Sequence, residues 1–221
     1  MRSGGKAATA VTLVLTLAVA PAAAGARTTS ADGTAAPSAA TAKAKPRFLT
    51  AKQWPTDDTY FVWTPNGGGK GYVYPLLSCA DEVLPKAHTS YKGVRGQKYA
   101  YGLQHIATLR SKQAAAKMTT RYVNYLRACN SESAKRKTFP QTIEVLGRYP
   151  KVGDGLVVVA VYTTNPKPES IDWPHYMYLY GVGHNGAVFT AVELHREGLP
   201  ADAPVAAFTA MSKTAVRQLA P

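Results

Sequence analysis

Between residues 112 and 129 the apolar positions Ala115, Met118, Tyr122, Tyr125, Leu126 and Cys129 recur at helical spacing. At about 100° per residue they fall on one arc, and Ser111 supplies an N-cap ahead of them. The spacing predicts an amphipathic helix with Cys129 on its buried side. Arg110, Lys117 and Arg121 occupy the opposite arc, so the same helix shows water a strip of positive charge. Just upstream the period changes to two: Tyr99, Tyr101, Leu103, His105 and Ala107 alternate through residues 98–109, which predicts a strand.

The C-terminal third is the most legible part. Residues 155–164 contain the run Val157, Val158, Val159, Ala160 and Val161, which reads as a strand buried on both faces at the centre of a sheet. Residues 176–183 and 187–195 are β-rich runs joined by His184, Asn185 and Gly186, and Asn-Gly accepts the positive φ of a tight hairpin turn. Residues 165–174 form the preceding loop. From residue 203 to 219, Val205, Phe208, Met211 or Ser212, Ala215 and Leu219 return at helical spacing with Pro204 in the first turn, so the chain closes on a packed helix.

The N-terminus has a different pattern. Arg2 and Lys6 precede an apolar stretch of about 14 residues, and small residues at 22–26 offer cleavage sites, so residues 1–26 read as a secretory signal peptide. The stretch is shorter than the roughly 20 residues that span a bilayer, and no later apolar run approaches it. The first cysteine is Cys79, too distant to carry a lipid. The mature product is therefore expected to be secreted, free or associated with the cell wall, with no transmembrane segment. Residues 27–46, dominated by Ala, Thr, Ser and Pro, are too poor in large apolar side chains to bury a core and read as a disordered linker. Residues 47–221 carry all three Trp and all 13 Tyr and suit one globular domain.

Export also decides the cysteine chemistry. Cys79 and Cys129 are the only two in the chain, and in an oxidising compartment an isolated pair reads as one disulfide. Closing a loop of that length stabilises a fold by roughly 4 kcal/mol on the chain-entropy account. A zinc site would need about four ligands, and neither cysteine has a nearby His partner. A catalytic thiol would have to stay reduced outside the cell.

Further short motifs fit this order. Phe48-Leu49-Thr50-Ala51 opens the domain, an early helix bears Cys79, and a strand and long helix lead to Cys129. Gly153-Asp154 precedes the apolar strand, residues 181–186 form the hairpin, and Lys213-Thr214-Ala215-Val216 lies in the terminal helix. In this the chain resembles the actinobacterial secreted sensor-domain family, related to the extracellular sensor domain of mycobacterial transmembrane Ser/Thr kinases. The resemblance implies a single α+β domain, an antiparallel sheet packed by two or three helices, with a groove for an extracellular ligand and no catalysis. The chain departs from the family in carrying no kinase or transmembrane segment. It also has one cysteine pair where some relatives have two, and His184 where an Arg is common at the hairpin tip.

Charge supplies an independent clue. Loss of Arg2 and Lys6 with the signal peptide leaves a formal charge of +11. Residues 83–131 contain nine basic residues (Lys86, Lys92, Arg95, Lys98, Arg110, Lys112, Lys117, Arg121 and Arg127) and no acid, and Lys135, Arg136 and Lys137 follow. A face of one sign attracts polyanions, which outside a cell are wall polymers, anionic headgroups or nucleic acid. The alternative is a basic surface that serves solubility. Tyr91, Tyr99, Tyr101, Tyr122 and Tyr125 interleave with the charge as stacking platforms would, but Tyr122 and Tyr125 belong to the apolar arc. No nucleic-acid-binding module appears in the spacing, so specific nucleic-acid recognition is not expected.

Catalytic motifs are sparse. His88, His105, His175, His184 and His195 lack metal-ligand spacing, and no nucleophile elbow or phosphate loop occurs. Residues 66–71, Asn-Gly-Gly-Gly-Lys-Gly, look like a phosphate loop but lack its Gly-Lys-Ser/Thr ending, and read as a flexible loop. His184 reads as a polar residue at the turn. On a strand His195 shares a face with Glu193 and Glu197, a pairing that a small hydrolase could use and that an ordinary strand end also produces. The acid pairs Asp57-Asp58 and Asp81-Glu82 read as caps. Trp54, Trp63, Tyr72 and Tyr74 are candidates for the aromatic rim of a ligand groove, or for core packing.

The sequence thus predicts a monomeric, secreted, non-catalytic binding or sensor-like module with no cofactor and no metal. Its partner would be an anionic envelope polymer or a small extracellular ligand, held by Arg110, Lys117, Arg121, Lys135, Arg136 and Lys137. A small secreted hydrolase using His195, or a protein-docking, inhibitor-like partner, are the alternatives.

Overall fold

A strand apolar on both of its sides is stable only where both faces are covered, and Gly155–Thr163, with four valines and no charged residue, is covered by a helix on each side. The computed structural model describes residues 45–56, 62–71, 83–97, 99–135, 141–163 and 175–219, with the backbone alone for residues 130–135. The unit that contains them spans residues 42–221. Its described strands are β1 (Thr64–Lys70), β2 (Thr89–Arg95), β3 (Tyr101–Thr108), β4 (Gln141–Tyr149), β5 (Gly155–Thr163), β6 (Tyr176–Asn185) and β7 (Val188–Glu197). They form one antiparallel sheet in the order β1-β2-β3-β7-β6-β5-β4. The helices are α1 (Lys112–Lys135) and α2 (Val205–Arg217), which makes the domain α+β as expected. Among the described residues no helix is long and apolar enough to cross a membrane.

The helix periods decide what each face buries. From α1, Tyr122, Val123, Leu126 and Cys129 meet Val159, Val161, Tyr180, Val182, Phe189 and Ala191. From α2, Phe208, Met211, Ala215 and Val216 meet Leu156, Val158, Ala160, Leu179, Val192 and Leu194. At the start of α1 the Ala114 N–H donates to Ser111 Oγ at 3.1 Å, the cap that the sequence predicted. On the second face α2 lies close to β6, because Gly181 has no Cβ to collide with Ser212 Oγ. The N-terminal segment straps across that face: Leu49 N–H donates to buried Gln104 Oε1 at 2.8 Å, and Arg47 N–H to Gln218 O at 3.0 Å.

Several expectations are corrected. β5 is buried on both faces but is next to the outermost strand, since β4 extends the sheet beyond it. The glycine-rich residues 66–71 belong largely to edge strand β1, whose every residue is exposed. It is held by backbone pairing to β2, with a bulge between Pro65 and Gly68 and Gly67 at φ 79°. Pairing, not side-chain burial, makes this strand, so no alternating pattern announces it. α1 runs six residues past Cys129. The hairpin strands each run two residues past their predicted ends at His195 and Gly183, so the turn is Gly186-Ala187 and His184 lies within β6 at 6 % exposure. Cys79, Tyr72, Tyr74, the acid pairs, the 165–174 loop, linker residues 27–44 and the signal peptide lie outside the described residues. So does the early helix.

Candidate functional site

With Ala115, Tyr122, Val123, Leu126 and Cys129 turned inward, α1 has no choice about what it turns outward. Lys117, Arg121 and Arg127 are exposed on α1, Arg110 is exposed in the bend two residues ahead of the helix and not on its arc as expected, and none of the four has an ion-pair partner among the described residues. Lys117 and Arg121 are one turn apart, about 6 Å of helix rise, inside the roughly 8 Å screening length of physiological salt, so their fields add. Lys112 is the exception. Its Nζ donates to Asp154 Oδ1 at 2.5 Å, while Asp154 Oδ2 accepts the Gly186 N–H at 2.7 Å. These contacts, the lysine first, hold the Asp154 carboxyl below its ordinary range. Asp154 is thereby committed to joining α1, the turn before β5 and the β6–β7 hairpin.

The basic surface continues onto the sheet. Exposed Arg148 on β4 and Arg127 on α1 line one narrow cleft of about 70 Å³ together with Thr119, Thr120, Val123, Asn124 and Val157. Arg148 was missed at the sequence level, although Thr142-Ile143-Glu144-Val145 alternates as an edge strand does. Along α1 itself Gln113, Ala116, Lys117, Thr120, Arg121 and Asn124 line a shallow, open surface. The Lys135 side chain, Arg136 and Lys137 lie outside the described residues.

The two tryptophans proposed for a ligand rim are in the core beneath α2. Trp54 and Trp63 are 3 % and 6 % exposed, with ring centroids 5.6 Å apart, and the Trp63 indole N–H donates to Pro55 O at 2.7 Å. Trp54 presses on Gly102, where a Cβ would strike its ring.

The alternation of β7 does put Glu193, His195 and Glu197 on one face, but in three different environments. Glu193 is 1 % exposed; it accepts the Tyr122 hydroxyl and lies 3.8 Å from His105 Nδ1. His195 sits between Tyr101 and Tyr178, its register partners on β3 and β6. The Tyr178 ring is stacked on it at 4.5 Å and 9°, and the Tyr101 ring at 6.3 Å and 11°. Burial among these rings drives the His195 pKa down to about 4, and burial with the Tyr176 phenol pushes Tyr178 up to about 12. His195 Nε2 is buried and has no hydrogen-bond partner among the described residues. Among the described residues neither neighbouring carboxylate makes a hydrogen bond to the imidazole. Among the described residues no cluster of His, Cys, Asp and Glu could hold a metal ion.

No protein-family model matches the chain, and no curated protein matches it in sequence. Among solved structures it is similar to the extracellular domain of PknH from Mycobacterium tuberculosis, at 12 % identity and a TM-score of 0.46, over 71 % of this chain and 84 % of that one.

Proposed function

We propose that the mature protein is a secreted, non-catalytic, sensor-like binding module whose outer α1 face holds an anionic component of the cell envelope or another extracellular anion. The observation that carries this reading is the set of exposed cations Arg110, Lys117, Arg121 and Arg127, without ion-pair partners among the described residues, together with Arg148 from β4. A shallow surface suits a polymer, which can lay successive charges along the helix, better than a small ligand that must be enclosed.

The state of His195 argues against the hydrolase reading. An imidazole with a pKa near 4 is a weak base at neutral pH, well below the match to working pH that general-base catalysis favours.

Retention of the purified mature protein on isolated cell wall, followed across a salt gradient, tests the proposal. Binding that falls steeply between low and high salt supports it; no retention, or retention indifferent to salt, overturns it.

A further inference from the structure

Away from the basic helix face, two successive rungs of the sheet bring together a different chemistry. In the first, Arg95, Tyr101, His195 and Tyr178 are consecutive register partners across β2, β3, β7 and β6, with the Arg95 guanidinium 5.7 Å from the centre of the Tyr101 ring. In the second, Glu197 pairs with Tyr176, whose ring also approaches His195 at 5.2 Å. Tyr99, two residues before Tyr101 in the β2–β3 turn, belongs beside them. β3 and β7 are antiparallel and Tyr101 pairs with His195, so the chain two residues before Tyr101 and the β7 end two residues past His195, Tyr99 and Glu197, lie at the same end of the sheet.

Tyr99 is the unusual residue. It is 66 % exposed, and it is the one non-glycine residue at positive φ among those described, at 57°. Glycine adopts that conformation without strain, and the turn is closed by backbone alone, Gly96 N–H to Ala100 O at 2.8 Å and Ala100 N–H to Gln97 O at 3.1 Å. The ring therefore adds nothing to the turn that a glycine would not supply. What it adds is an aromatic surface offered to solvent beside a carboxylate and two further phenols.

The charges decide what such a surface would take. Among the described residues of the patch Arg95 and Glu197 are of opposite sign, and His195, held among rings, is uncharged at neutral pH, so these groups together carry no net charge with which to attract a polyanion. Phenols both donate and accept hydrogen bonds, and Glu197 accepts them, which suits a ligand rich in hydroxyls. Aromatic rings complement the C–H faces of such a ligand. We infer that Tyr99, Tyr176 and Glu197 form a subsite for a neutral oligosaccharide, with the Tyr99 ring as its stacking platform and Glu197 and the Tyr176 hydroxyl binding sugar hydroxyls. This subsite is separate from the cationic face of α1.

Calorimetric titration of the mature protein with cellohexaose, chitohexaose and maltohexaose tests the inference. Saturable binding of at least one is expected, unchanged by salt and unchanged by Lys117→Glu with Arg121→Glu. Tyr99→Ala should weaken it at least tenfold, and Tyr99→Trp should retain it. Tyr99→Gly should abolish it while raising the melting temperature, a combination that a merely structural tyrosine would not give. Absence of saturable binding to all three sugars, or undiminished binding by Tyr99→Ala, overturns the inference. Loss of binding only in the α1 variant also overturns it, by assigning the sugar to the cationic face.

Discussion

Tyr122 on α1 donates its hydroxyl to the Glu193 carboxylate on β7, joining the helix to the sheet through two side chains that are 0 % and 1 % exposed. A hydrogen bond to a charged group contributes about 1.5–3 kcal/mol, and a buried carboxylate that loses a donor keeps its desolvation cost. Tyr122→Phe should therefore destabilise the domain by about 2 kcal/mol in urea denaturation. A change under about 0.5 kcal/mol would show that Glu193 is satisfied without it.

The contact between α2 and β6 makes a second prediction. Gly181→Ala places a methyl group against Ser212 Oγ in a fully buried position and should cost about 1–3 kcal/mol. Ser212→Gly in the same chain should recover part of that loss. Ser212→Ala alone should be neutral or stabilising, since the serine hydroxyl is buried with no hydrogen-bond partner among the described residues. If the double variant is no more stable than Gly181→Ala, the collision is not the cause.

Acid should weaken the fold above the window in which Asp154 loses its charge. His195 falls from its ordinary 6.5 to about 4 in the folded state, so between these values the unfolded chain binds more protons and stability is lost as pH falls. The loss is on the order of 3 kcal/mol from this residue, complete near pH 4. His184, also lowered, first by burial, acts in the same direction. The Asp154 contribution runs out only below that carboxyl's ordinary 3.8, a lower window. Urea midpoints measured from pH 7 to 4 should fall in the native protein and fall distinctly less in His195→Gln; parallel curves would refute the assignment.

The sequence patterns that proved reliable are local ones. The α1 arc through Tyr122 and Leu126, the valines of β5 and the α2 series from Phe208 to Ala215 each bury a face whose period can be read directly. Elements that owe their existence to pairing were less legible. β1 has no buried side chain, and nothing in Asn-Gly-Gly-Gly distinguishes a loop from an edge strand. In sequence His184 reads as a turn residue, because the extra register pair of the hairpin, Asn185 with Val188, is set by the sheet and by α1 over it. The cations of α1 could be found from helix period alone, whereas Arg148 joins them only once β4 is known to border the helix. The left-handed conformation of Tyr99 has no sequence signal, since glycine is the residue that normally announces it.

The expected link between Cys79 and Cys129 is open to direct chemistry. Cys129 is 5 % exposed on the inner side of α1, and a disulfide from it would fix the helix to the preceding segment. Unreduced mature protein, unfolded in denaturant with an alkylating reagent, should take up no label, and reduction should admit two and lower stability by roughly 4 kcal/mol. Two labels without reduction would remove the disulfide from the account.

The central claim is that the outer face of α1 binds an anion, and reversing charge on that face tests it most directly. Lys117 and Arg121 are exposed and unpaired, so Lys117→Glu with Arg121→Glu should leave the melting temperature within a few degrees of the native value. Wall retention of the two proteins, measured side by side at low salt, should fall at least tenfold in the variant and converge at high salt. Equal retention of variant and native protein at low salt would contradict the claim.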